Sequence, residues 1–165
     1  KKNFLKLNYK RLNYINLHSE EISVYASIIA KQKKVRLILK DYQKKFAKKF
    51  SKIAIEGRDI STKILNKDPR YDIAFFFKCN LNIAAYRRWK DLKRTNRHIV
   101  LSEIKKSLKK RNELDAKRRF SPLIQTKDSI IIRTDILNKK AMVTRMSEEI
   151  EKKLFLKYGR NYKTR

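Results

Sequence analysis

From Ser19 onward the apolar residues recur at helical spacing. Ile22, Tyr25 and Ile29, with Gln32 continuing the stripe, predict a first helix with Ser19 as its N-cap and Glu20 and Glu21 in its first turn. Val35, Leu37, Leu39, Tyr42 and Phe46 predict a second helix over about 34–50. Ahead of these, residues 3–17, NFLKLNYKRLNYINL, alternate loosely between apolar and polar, which predicts one or two extended segments with a turn near Asn8. IAIE, 53–56, reads as a short buried strand ending at Gly57. DIAFFFKC, 72–79, is nearly continuous in apolar residues, as in a strand covered on both faces. Helical spacing returns over 81–95 and over most of 101–119, until Phe120-Ser121-Pro122-Leu123 breaks it. SIIIRT, 129–134, predicts a third buried strand, and Asn138 caps a last helix that ends near Gly159.

Short apolar strands alternating with helices predict an α/β sandwich around a parallel sheet. In such sheets ligands bind at the carboxyl ends of the strands, and Gly57 stands at one of these ends. The chain has two glycines in 165 residues. A glycine there either lets the backbone leave the strand sharply or lets another group come close.

The composition, 41% hydrophobic and 37% charged, is that of a folded chain. No apolar run approaches the roughly 18–20 residues a membrane span needs, and no signal-peptide pattern is present. The single cysteine, Cys79, excludes an internal disulfide and, following AFFFK, is expected in the core. With His18 and His98 far apart there is no zinc signature, and a reducing, cytoplasmic setting fits best. A net charge of +29 permits a polyanionic partner. The basic residues are spread along the chain rather than gathered in a stripe interleaved with aromatics, and lysine outnumbers arginine as in products of A/T-rich coding sequences. Nucleic acid is therefore expected to bind weakly, without specificity, and to be released by salt.

Three groups could carry chemistry. Arg58 and Asp59 are adjacent and so point in different directions, one able to reach an anion and the other a polar group, unless they are simply a solvated pair. Arg111, Asp115 and Arg118 form one stripe on a helix, able to grip a phosphorylated, hydroxylated ligand or to form a surface ion pair. Arg87 and Arg88, on the helix after the long apolar strand, could clamp a phosphoryl group in transfer or line a basic surface.

In order, the chain reads SEEISVYAS, KKVRLILKDYQKKFA, EGRDIST, AFFFKC, AAYRRW and EIKKSLKKRNELDAKRRFSPL. This set resembles the bacterial-type cytidylate kinases over about residues 4–155. The resemblance implies a three-layer, P-loop nucleoside monophosphate kinase fold with a parallel sheet. Residues 1–50 would hold the CMP-binding insert and following helices, and 51–165 the C-terminal part of the core with a short lid at about 81–100. It implies transfer of the γ-phosphoryl group of ATP, with Mg2+, to CMP or dCMP by a monomer. By matching position, Ser27, Arg36 and Asp59 would face the cytosine with Arg118 nearby, and Arg58 would lie by the phosphate. Arg111 and Asp115 would hold the sugar, and Arg87 and Arg88 would belong to the lid over ATP. The chain departs from the family where GRDIGT reads GRDIST with Ser61, where KILNKDPRYDI carries extra residues, and at His18, Asn112 and Leu114. It also contains no GxxxxGK[ST] loop, whose amides and lysine hold phosphates. The expectation is thus an N-terminally truncated kinase, inactive by itself. A kinase-derived basic domain that binds RNA, for example on a ribosome, is the alternative.

Overall fold

The computed structural model describes residues 20–94 and 97–159. The expected extended segments at 3–17, His18 and the Ser19 cap lie outside them. Helix α1 spans Glu20–Ile29 and α2 Lys33–Lys49. Gln32 does not extend the first helical stripe; it flanks α2 in extended conformation. A π-helical turn, Ile60–Ile64, follows, then strand β1, Phe75–Lys78, α3, Leu81–Lys93, α4, Leu101–Ala116, β2, Ile130–Arg133, and α5, Lys139–Tyr158. The caps of α5 are those its sequence predicts: the Asn138 side chain accepts from the Ala141 amide, and Gly159 takes φ 67° past the last turn. Helix α4 stops at Ala116, ahead of the Phe120–Leu123 break.

The sheet has two parallel strands, with Phe75 opposite Ile130 through to Lys78 opposite Arg133. This mixed α/β architecture with a parallel sheet is the expected class. Three expectations fail locally. Residues 53–56 form no strand among the described residues, and Ile53 is exposed, because an apolar run becomes a strand only where a neighbour takes up its backbone groups. β1 is not covered on both faces: Phe77 is 52% exposed, since a two-stranded sheet offers its side chains few neighbours. Cys79, expected in the core, is exposed just past the end of β1.

The chain forms two compact units. One contains the described residues up to Pro69 together with Lys106–Ile124, and its buried apolar residues are Ala47, Ile64 and Leu65. The other contains Arg70–Lys105 and the described residues from Gln125, with Ala85, Ile104 and Ile132 buried. No helix among the described residues is long and apolar enough to cross a membrane.

In the second unit the strands are braced at both ends. Before β1 and β2, the Tyr71 hydroxyl donates to Asp128 Oδ1 at 2.7 Å. Beyond them, Asp135 accepts from Arg133 Nε and Nη2 at 2.9 and 2.8 Å and from the Asn80 amide at 3.2 Å. Asn80 in turn caps α3 through the Asn82 amide. The Arg133 hydrogen bond holds the Asp135 carboxyl down at about 2. A folded-state pKa below the usual 3.8 means that this carboxylate stabilises the fold above the ordinary carboxylate range, and that the contribution fades as pH falls from about 4 through about 2. In a pH series of thermal melts, Asp135→Asn is expected to melt below the parent near neutral pH, to show a shallower acid limb, and to converge with the parent at the acid end.

Candidate functional site

The first unit gathers charged residues from three separate stretches of chain. Asp59 follows Gly57 and Arg58 and is the residue before the π-helical turn; its carbonyl accepts the Lys63 and Ile64 amides at 2.9 and 3.2 Å. That turn buries the Asp59 carboxylate, 7% exposed, and directs it to α2, where Arg36 Nη1 donates at 2.7 Å. Arg36 is itself fixed, because its Nε donates to the Ala30 carbonyl at 2.7 Å. α1, the short connection after it and α2 thus orient the guanidinium before any ligand arrives.

Gly57 has an ordinary φ, so a sharp turn is not the reason for it. A Cβ at this position would lie 2.8 Å from Ile60 Cγ1 and 2.9 Å from Cδ1. Glycine is there because the Ile60 side chain comes close to its backbone. Gly57→Ala must displace a β-branched side chain with a stiff χ1 from the start of the turn that holds Asp59. The expected loss is about 1–3 kcal/mol of stability, typical of an overpacked site, measured by denaturant unfolding.

On α4 and just past it, Asp115 is 3% exposed and lies between two cations. Arg58 Nε approaches Oδ2 at 3.2 Å, and Arg118 Nη2 donates to Oδ1. Arg118 is also buried. Burial lowers the pKa of both Arg58 and Arg118; Asp115 opposes the shift, while Arg111 adds to it for both and Arg36 for Arg118. Four guanidiniums, Arg36, Arg58, Arg111 and Arg118, therefore act on one another across two carboxylates, Asp59 and Asp115. The cluster has an excess of two positive charges. Among the described residues, the buried Nε atoms of Arg111 and Arg118 have no hydrogen-bond partner. Such donors are costly to bury unless a ligand's oxygen completes them.

Six of the seven residues singled out for one substrate, Arg36, Arg58, Asp59, Arg111, Asp115 and Arg118, thus enter one electrostatic cluster. The seventh, Ser27, is buried on α1, and its hydroxyl donates to the Ser23 carbonyl one turn back at 3.0 Å. Arg87 and Arg88 belong to α3 in the second unit. Arg87 lines a cavity of about 470 Å3 together with Phe77, Thr134, Asn138 and Met142. Sequence reasoning missed Ile60, whose contact explains Gly57, and the cross-pairing of the two carboxylates with arginines from other elements. The first had no signal beyond the glycine itself, and the second depends on chain reversals that local pattern does not encode.

The sequence of this chain matches a family model described as cytidylate kinase over residues 3–152. Among curated proteins it is 33% identical over 142 residues to a cytidylate kinase of Clostridium tetani, covering 86% of this chain and 59% of that protein. It is 34% identical over 130 residues to a cytidylate kinase of Alkaliphilus oremlandii, covering 79% and 58%. With one from Rickettsia akari the figures are 32% over 142 residues, 86% and 64%. The chain therefore spans about three-fifths of the length of the curated relatives it matches.

Proposed function

The chain belongs to the cytidylate kinase family, and on that premise we propose that its arginine–aspartate cluster is the binding site for CMP or dCMP in a three-layer nucleoside monophosphate kinase core. The observation that carries this reading is the charge balance of the cluster. Four guanidiniums against two carboxylates leave two positive charges uncompensated. A phosphate monoester carries about −1.5 to −2 at neutral pH. One nucleoside monophosphate neutralises the excess, and its oxygens offer acceptors to the unpaired Nε atoms of Arg111 and Arg118.

Within this reading Arg58 meets the phosphate and Arg111 with Asp115 the sugar. Arg36 and Asp59, already paired, present a donor and an acceptor edge to the cytosine, with Arg118 beside them and Ser27 completing the base pocket. A phosphate placed in this cluster meets guanidiniums that are already oriented, because Arg36 is held by Asp59, and Arg58 and Arg118 by Asp115, before it binds. Arg87 and Arg88 act as the phosphoryl clamp of a lid at about 81–100, placing positive charge on the transferring group of ATP. Mg2+ would be held mainly through the phosphate oxygens of ATP and would neutralise part of their charge, and no residue of this chain is assigned to it. Among the described residues no three His, Cys, Asp or Glu side chains converge to cage it.

Phosphoryl transfer also needs a loop whose amides cradle the ATP phosphates, and 165 residues with two glycines contain no GxxxxGK[ST]. The chain by itself is therefore proposed to bind the acceptor nucleotide without phosphorylating it. Calorimetric titration with CMP, UMP and inorganic phosphate tests the site. CMP is expected to bind more tightly than either of the others. Equal affinity for CMP and phosphate would reduce the cluster to a general anion site and overturn the assignment.

A further inference from the structure

Ser121 is the one non-glycine residue with positive φ among the described residues, at 57°. An L-residue in this left-handed region is disfavoured, and it persists only where its surroundings hold it there. Ser121 lies in the segment that follows α4 and contains Arg118. α4 ends at Ala116, and the carbonyls of its last turn need donors. The Lys117 amide donates to Glu113, and the Leu123 amide returns to donate to the Asp115 carbonyl at 2.8 Å. The chain can come back on Asp115 because Ser121 reverses it, and Pro122 keeps it from resuming a helix. The closed loop contains Arg118, which is buried and donates to the Asp115 carboxylate. Asp115 is thereby held at both its carbonyl and its side chain by one loop. The same loop contacts α2: Lys33 Nζ lies over the Phe120 ring, 5.5 Å from its centroid, and the Arg119 guanidinium lies 5.7 Å from it. Lys33 begins the helix that carries Arg36.

From this we infer that Ser121 is a positioning residue for the acceptor site: its left-handed backbone, rather than its hydroxyl, sets where Arg118 and Asp115 stand. The inference rests on the proposed CMP site and sharpens it, because it names what holds the two most deeply buried charges in register. It makes a graded claim about side chains. Glycine adopts positive φ freely, and asparagine is several-fold enriched there. Threonine keeps the hydroxyl but is β-branched and resists the conformation.

The test compares Ser121→Gly, Ser121→Asn and Ser121→Thr in the full chain, by CMP titration at a temperature where circular dichroism shows each folded. Gly and Asn variants are expected to bind CMP within about twofold of the parent, and the Thr variant at least tenfold more weakly. A ligand-free readout accompanies it: slow hydrogen exchange at the Leu123 amide and a distinct Arg118 Nε–H resonance, kept in Gly and Asn and lost in Thr. If Thr binds and exchanges like the parent, or if Gly and Asn lose as much as Thr, the inference is wrong. Should Thr not fold, loss of affinity or of Leu123 protection in Gly and Asn still overturns it, and their retention supports it. Failure of the parent itself to bind CMP would sink the CMP assignment alone, because the exchange measurements read the loop without ligand.

Discussion

Asp115→Asn is expected to destabilise the protein by about 3–5 kcal/mol, the cost of removing one partner from a buried ion pair. Asp115 is 3% exposed and faces Arg58 and Arg118, of which Arg118 has almost no access to water. Asparagine preserves the shape and supplies one acceptor, but it leaves two guanidiniums without their counter-charge. For a chain of this size the melting midpoint should fall by roughly 10 °C. Removing both partners distinguishes a buried charge from a simple packing defect. Asp115→Asn combined with Arg118→Met no longer strands the more deeply buried cation, and should recover much of the lost stability. CMP affinity should not return with it. If the single variant melts with the parent, the cluster is open to solvent and the proposed site loses its preorganisation.

The second large effect concerns affinity. Asp59→Ala removes a buried acceptor, the one proposed to face the base, and frees Arg36, whose Nη1 it holds at 2.7 Å. A hydrogen bond to a charged group contributes about 1.5–3 kcal/mol, so CMP should bind roughly 10- to 150-fold more weakly. Inorganic phosphate should be affected much less, because in the proposed site Asp59 faces the base and not the phosphate. Calorimetry with both ligands reads the difference. An equal loss for the two would show that Asp59 only supports the arginines, and unchanged CMP affinity would remove it from the site.

The helices were legible in the sequence because periodicity and caps are local. The Asn138 cap and the Gly159 terminus of α5 were visible as residue types at the right spacing. The strand pattern was less dependable. FFFK and IIIR do pair, but IAIE, which is just as apolar, forms no strand among the described residues. A strand is defined by its neighbour, and the neighbour is not written in the segment itself. Cys79 was misread for the same reason, since its apolar context says nothing about whether a further strand covers it. In the site, the stripe Arg111, Asp115 and Arg118 followed from helical spacing, even though Arg118 lies past the last helical turn. The pairings Arg36–Asp59 and Arg58–Asp115 were not legible, because they join residues far apart in the chain. Ser121 was legible only as part of the break after α4: serine is common in turns of every kind, and its left-handed backbone emerges only where Leu123 must reach back to Asp115.

The discontinuity of the two units bears on the order in which the protein is built. The first unit is interrupted at Pro69 and resumes at Lys106, so its carboxylates and arginines are synthesised in two instalments with α3 between them. Arg58 and Asp59 leave the ribosome long before Asp115 and Arg118 exist to meet them. During that interval Asp59 can pair with Arg36, 23 residues earlier, but Arg58 has no counter-charge from α4. Closing so long a loop costs entropy before it returns any contact, and folds dominated by such distant contacts form slowly. The contacts that join the two instalments cannot form until α4 has been made. Until then the nascent chain displays its arginines to every polyanion around it, and the ribosome on which it is being made is the nearest.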